Sequence, residues 1–143
     1  MTSEEHPRQH LRFFANGAWT AHAERRVAEA LAHLASSRTW TLGPPTYSLS
    51  QGEMCGELTL HSAFPPWGDQ LPVETDQAEL DQARALIDVL ADASLQLGTK
   101  IALDMDDDPI GEIASGQLDD GISEVLLAEW ERMLEKRRSQ TRA

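Results

Sequence analysis

The stretch TDQAELDQARALIDVLADASLQLGTKIALDMDDDPIGEIA, Thr75 to Ala114, changes its hydrophobic period once, and that change decides the fold. In its first part Leu80, Ala83, Ile87 and Leu90 recur at intervals of three and four, with Leu86 and Leu97 widening the stripe. That spacing lays one apolar face along an α-helix. Asp76 with Glu79 matches an Asp-led capping box at its start, and Gly98 fits the position where a left-handed residue closes a helix. Beyond Lys100 the period drops to two: Ile101, Leu103 and Met105 alternate with Ala102 and Asp104, as in a half-buried strand. DDDP, Asp106 to Pro109, reads as a turn, because aspartates accept local backbone hydrogen bonds and proline cannot donate to a ladder. IGEIAS then returns as the second strand of a hairpin.

Upstream, GELTLHS (Gly56–Ser62) alternates Leu58 and Leu60 with Glu57, Thr59 and His61, and TYSLS (Thr46–Ser50) is its partner. Gly43-Pro44-Pro45 and Gln51-Gly52 punctuate these strands, and Trp40 is expected in a strand, facing the core. Pro65, Pro66, Gly68 and Pro72 make a stiff connection that cannot join a central strand. Further upstream, Val27, Leu31 and Leu34 mark one face of an alanine-rich helix that Thr20 is placed to cap. A short strand around Leu11, Phe13 and Phe14 precedes it, ending at Asn16-Gly17. Downstream, Gly116–Gly121 is a loop in which Asp119 or Asp120 caps a last helix. That helix aligns Ile122, Leu126, Trp130 and Met133, flanked by Leu127 and Leu134.

The order is β-α-β-β-α-β-β-α. It predicts an α+β two-layer sandwich: a mostly antiparallel sheet of four to five strands, with three helices on one face. The first six elements follow the order of a ferredoxin-like unit. The expected organisation is a flexible lead over 1–9, one domain over 10–136 and a basic tail over 137–143.

The chain of 143 residues carries a formal net charge of −12. Such a field repels phosphates, so nucleic acid and anionic membrane are disfavoured and a basic protein partner is favoured. The single cysteine, Cys55, excludes an internal disulfide and a cysteine-built zinc site; it is expected as a small buried hydrophobe. No charged-then-apolar leader and no membrane-length apolar run are present, which predicts a cytoplasmic protein.

The acids concentrate between Ile101 and Gly121, where Asp104, Asp106, Asp107, Asp108, Glu112, Asp119 and Asp120 occur with no lysine or arginine among them. Asp104, Asp106 and Asp108 have the one-three-five spacing of a calcium loop, but Pro109 stands where glycine is required and Ser115 where the bidentate glutamate belongs. Glu53 with Glu57, or Asp104 with Glu112, are the carboxylate pairs available for acid–base work, and all are expected on solvated faces. Cys55 and His61 share a strand face but stand far apart along it. His22 and His33 share a helix face at three turns' separation, too far for a common metal. No nucleophile elbow, H-E-x-x-H or phosphate loop occurs.

These absences favour a non-catalytic binding module without a cofactor. In broad outline the chain is similar to bacterial immunity proteins, which are small, acidic and α+β. The resemblance implies an inhibitor that neutralises a basic toxin, such as a nuclease, by charge complementarity. The expected partner surface is Asp104, Asp106, Asp107, Asp108, Glu112, Asp119 and Asp120, with Trp67 as an aromatic anchor. The alternatives are a small or metal-dependent enzyme, promoted by a pocket uniting Cys55, His61 and a buried carboxylate, or a homo-oligomer using the apolar face of the last helix.

Overall fold

The computed structural model describes residues 7–61 and 71–141. Among them, β1 (Arg8–Asn16), α1 (Ala21–Ser36), β2 (Thr46–Ser50), β3 (Glu53–His61), α2 (Val73–Leu97), β4 (Ile101–Met105) and β5 (Asp108–Ala114) follow the expected order. A two-residue strand β6 (Gln117–Leu118), a π-helical segment (Gly121–Ala128) and α3 (Glu129–Thr141) complete the chain. The six strands lie in the order β2-β3-β1-β4-β5-β6, every neighbouring pair antiparallel. Within β2-β3-β1-β4 each helix connects strands that are separated by a third, the split βαβ arrangement that the element order implied. The hairpin β4–β5, with β6 and the last helix, extends this unit on its β4 side. The result is the α+β sandwich read from the sequence, with one strand more than the alternation revealed.

Strand parity sets the layers. Leu11, Phe13 and Ala15 of β1, Met54, Leu58 and Leu60 of β3, and Ile101, Leu103 and Met105 of β4 turn to one side and are buried. Val27, Leu31 and Leu34 of α1, Leu80, Ala83, Ile87 and Leu90 of α2, and Ile122, Leu126, Trp130 and Leu134 of the last helix cover them. The opposite sheet face is open and carries Arg12, Phe14, Cys55, Glu57, Asp104 and Glu112.

Each hairpin turns through two residues at positive φ: Gln51-Gly52, Asp106-Asp107 and Ser115-Gly116. These are the mirror-image turns whose twist matches that of the flanking strands. Pro109 therefore lies in β5 rather than in the turn, opposite a register shift between Leu103 and Asp104, where a missing donor is tolerated.

Helix ends follow their side chains. Thr20 Oγ1 accepts from Ala23 N at 3.0 Å, and Gly98 closes α2 in the left-handed region, φ 67°. The capping box on α2 is corrected. The helix starts at Val73 behind Pro72, which carries Asp76 and Glu79 a turn further in and buries both. Trp40 is likewise not in a strand; it lies in the loop after α1, where its Nε1 donates to Ala35 O at 3.0 Å. β1 begins inside the segment expected as a flexible lead, and α3 carries Arg137 and Arg138 of the expected tail within its helix. Both extensions have tertiary partners: Gln9 is buried against His61 O, and Arg137 bonds Asp76. Among the described residues no helix is long and apolar enough to cross a membrane.

Candidate functional site: an acid-rimmed groove

Asp106 sits at the β4–β5 turn, and its Oδ1 accepts from both the backbone N and the ring Nδ1 of His10, each at 3.0 Å. Asp106 N in turn donates to His10 O at 3.1 Å, so the turn is pinned to the start of the central strand. Asp104 faces the open side of the sheet, accepting from Arg12 Nε and from Asp107 N, each at 3.1 Å. The same guanidinium reaches the Asp107 carboxylate. Glu112 has Lys100 as its cationic neighbour, 3.8 Å away. Asp108 and Asp120 have no cationic partner among the described residues.

Asp119 is spent on the fold. Its Oδ2 accepts from Glu112 N at 2.9 Å and its Oδ1 from Ile122 N at 3.3 Å, so it caps the π-helical segment and ties it to β5. Gly111 and Gly121 make this approach feasible. A Cβ on Gly111 would stand 2.1 Å from Asp119 Oδ1, and one on Gly121 would stand 1.9 Å from Ile110 O.

That close approach creates a groove of about 440 Å³ between the hairpin and the last helix. Met105, Pro109, Ile110, Val125 and Leu126 form its apolar wall, and Asp106, Asp108 and Glu129 stand on its rim. Val125 is 69% exposed. It lies in the π-helical segment, off the buried line of Ile122 and Leu126. Short π-helical stretches occur disproportionately at functional sites.

The expected partner-binding acids thus divide. Asp106 and Asp108 line the groove, Asp104 and Glu112 lie on the open sheet face, Asp107 is at the tip, Asp119 is exposed but has its carboxylate engaged by the backbone of Glu112 and Ile122, and Asp120 is exposed beside the cap. Trp67 lies outside the described residues.

Elsewhere the expected chemistry is dispersed. Cys55 is exposed on the open sheet face, not buried, because it shares the parity of Glu53 and Glu57. It stands six residues from His61 along β3, on the order of 20 Å at strand rise, so no pocket unites them. Among the described residues no three His, Cys, Asp or Glu side chains come together as metal ligands. Ile122, Leu126, Leu127, Trp130 and Leu134 of the last helix pack into the chain's own core.

Two buried acids were not anticipated. Glu79 is fully buried, accepting from His61 N at 2.8 Å through Oε1, with Oε2 2.7 Å from His61 Nδ1. Burial raises its pKa above the ordinary carboxylate value despite the His61 contacts that oppose the rise, and nearby Asp76 adds to it. Asp76 Oδ1 accepts from Trp130 Nε1 at 2.7 Å and its Oδ2 from Arg137 at 2.9 Å. Both acids tie α2 to its neighbours: Glu79 to the end of β3, Asp76 to α3. Among the described residues every buried side-chain nitrogen and oxygen has a partner.

Compared with protein-family models, with curated proteins and with solved structures, the chain returns no match.

Proposed function

We propose that this protein is a non-catalytic binding module that receives a basic segment of a partner protein in the groove between the β4–β5 hairpin and the π-helical segment. The observation that carries the reading is the combination at that groove: an apolar wall with exposed Val125, bordered by Asp106, Asp108 and Glu129. Acids at the rim speed the encounter with a cationic surface and fix its orientation, and the apolar wall supplies contact that does not fade with salt. The net charge of −12 acts in the same direction over longer range. The most concrete form of the proposal is a cytoplasmic immunity-type inhibitor that covers the phosphate-binding cleft of a basic bacterial toxin.

The test is a peptide-display selection on the full chain, followed by association kinetics at two ionic strengths. Selected peptides should place an apolar residue among lysines or arginines. Their on-rate should fall with salt, and in Asp106→Asn with Asp108→Asn it should fall at constant salt. Peptides without basic residues, or an on-rate indifferent to both substitutions, would remove the groove from the interface.

A further inference from the structure

The two edges of the sheet are built differently. On the β6 side the last strand has two residues. There Asp119 covers β5, its carboxylate accepting from Glu112 N and its backbone N–H donating to Glu112 O. Short strands, proline and covering loops are the usual means of keeping an edge from pairing with another chain. Among the described residues the β2 edge has no covering loop, and Pro44 and Pro45 stop short of the strand. Its five residues pair in unbroken register with β3 on one side, and among the described residues no strand lies beyond it. Thr46, Tyr47, Ser48 and Ser50 are exposed, and none is charged. The whole stretch from Thr39 through Gly52 lacks any Asp, Glu, Lys, Arg or His, the longest such run in the chain.

We propose that β2 is the surface on which a second copy of this chain docks, β2 against β2 antiparallel, joining the two sheets into one. The strand is self-complementary about Ser48. In the register that pairs all its residues, Ser48 opposes Ser48 of the second copy, Thr46 opposes Ser50, and Tyr47 opposes Leu49. The hydroxyls then meet on the open face, since Thr46, Ser48 and Ser50 lie opposite Glu57, Cys55 and Glu53 on β3, while Tyr47 and Leu49 meet on the helix side. A chain of net charge −12 is repelled by its own copy almost everywhere, and this uncharged edge is where that repulsion is weakest. Such a contact is isologous and closes as a dimer. It rests on nothing in the acidic groove, and it leaves the groove accessible on the far side of the sheet.

The experiment is sedimentation equilibrium of the full chain over rising concentration, with Ser48→Lys, Ser48→Glu and their equimolar mixture. Ser48 faces solvent, so at concentrations where every form is monomeric both variants should keep the wild-type urea midpoint. Wild type should associate to a dimer. Each variant alone sets like charges opposite one another across the two-fold and should associate more weakly by roughly fivefold or more. The mixture sets an ammonium against a carboxylate at that central position and should recover the dimer. A wild type that stays monomeric at every concentration overturns the proposal. So does a dimer that both variants retain, or a mixture no more associated than its components. If a variant loses its fold, Thr46→Glu with Ser50→Lys answers the same question: opposite charges then face each other and the dimer should strengthen with salt removed, an unchanged constant refuting the register.

Discussion

Replacing Asp76 by alanine tests the account of how α2 is anchored. Asp76 is 4% exposed and Trp130 is 6% exposed, so the 2.7 Å indole–carboxylate bond lies away from water. Truncation leaves that N–H without its acceptor and leaves the Arg137 guanidinium, 18% exposed, without its carboxylate. Orphaning one partner of a buried pair costs about 3–5 kcal/mol, and a buried neutral donor adds about 1–3 kcal/mol. Arg137 keeps some contact with water and also donates to Leu71 O, which favours the low end, about 4 kcal/mol in total. Against the usual 5–15 kcal/mol for a domain, that lowers the melting temperature by about 10 °C.

The assay is urea unfolding of Asp76→Ala, Arg137→Met and the double variant, with m-values checked for constancy. Each single change removes one charge of the pair and leaves the other without it; Asp76→Ala should be the worse because it also takes the acceptor from the buried Trp130 Nε1–H. The double variant should cost less than the sum of the singles, by about 1–2 kcal/mol of coupling. A loss under about 1 kcal/mol for Asp76→Ala, or costs that simply add, would refute the claim that this pair joins α2 to α3.

The other expectations concern Glu79, Gly121 and the hairpin turn. Glu79 has its folded pKa raised above 4.5 by burial, so its contribution to stability is fully present below pH 4.5 and is lost as pH rises through the folded value. The stability of wild type relative to Glu79→Gln should therefore decline as pH rises from 4.5 and then level off, as followed by urea midpoints across pH; a difference that grows with pH refutes the assignment. Gly121→Ala would force a Cβ within 1.9 Å of Ile110 O, and should cost about 1–3 kcal/mol and broaden the NMR signals of Val125 and Ile110 as the groove wall shifts. Asp106→Asn with Asp107→Gly suits the positive φ values of 52° and 77° better than two aspartates do. It should hold or raise stability by up to about 1 kcal/mol while weakening basic-peptide association, which separates charge from fold.

Most of the fold was legible because period and punctuation agreed. The three helix stripes, the left-handed Gly98 and the Thr20 cap each rest on residues within a few positions of one another, and local physics decides them. The misreadings have separate causes. β6 is two residues long and has no period to read. Asp76 and Glu79 fit a capping box by spacing, yet their partners Trp130, Arg137 and His61 lie 18 to 61 residues away. The exposure of Cys55 was already fixed by Leu58 and Leu60: counting by twos from those leucines puts Met54 inward and Cys55 outward.

The candidate site shows the same division in a sharper form. Sequence placed the acids near one another, and they do lie near one another, but proximity on a hairpin is not a common direction. Alternation sends Asp104 and Glu112 to the open sheet, while the positive-φ turn sends Asp106 toward His10 and the groove. Asp119 stays exposed but turns its carboxylate onto the backbone of Glu112 and Ile122, in space that a Cβ on Gly111 would occupy. The groove therefore depends less on the acids than on Gly111 and Gly121, which bring the π-helical segment against β5 and leave Val125 exposed beside the rim. A cluster of carboxylates alone attracts any cation. Paired with an apolar wall held at fixed separation it can discriminate among them, which is why the proposed ligand is a basic segment carrying an apolar side chain.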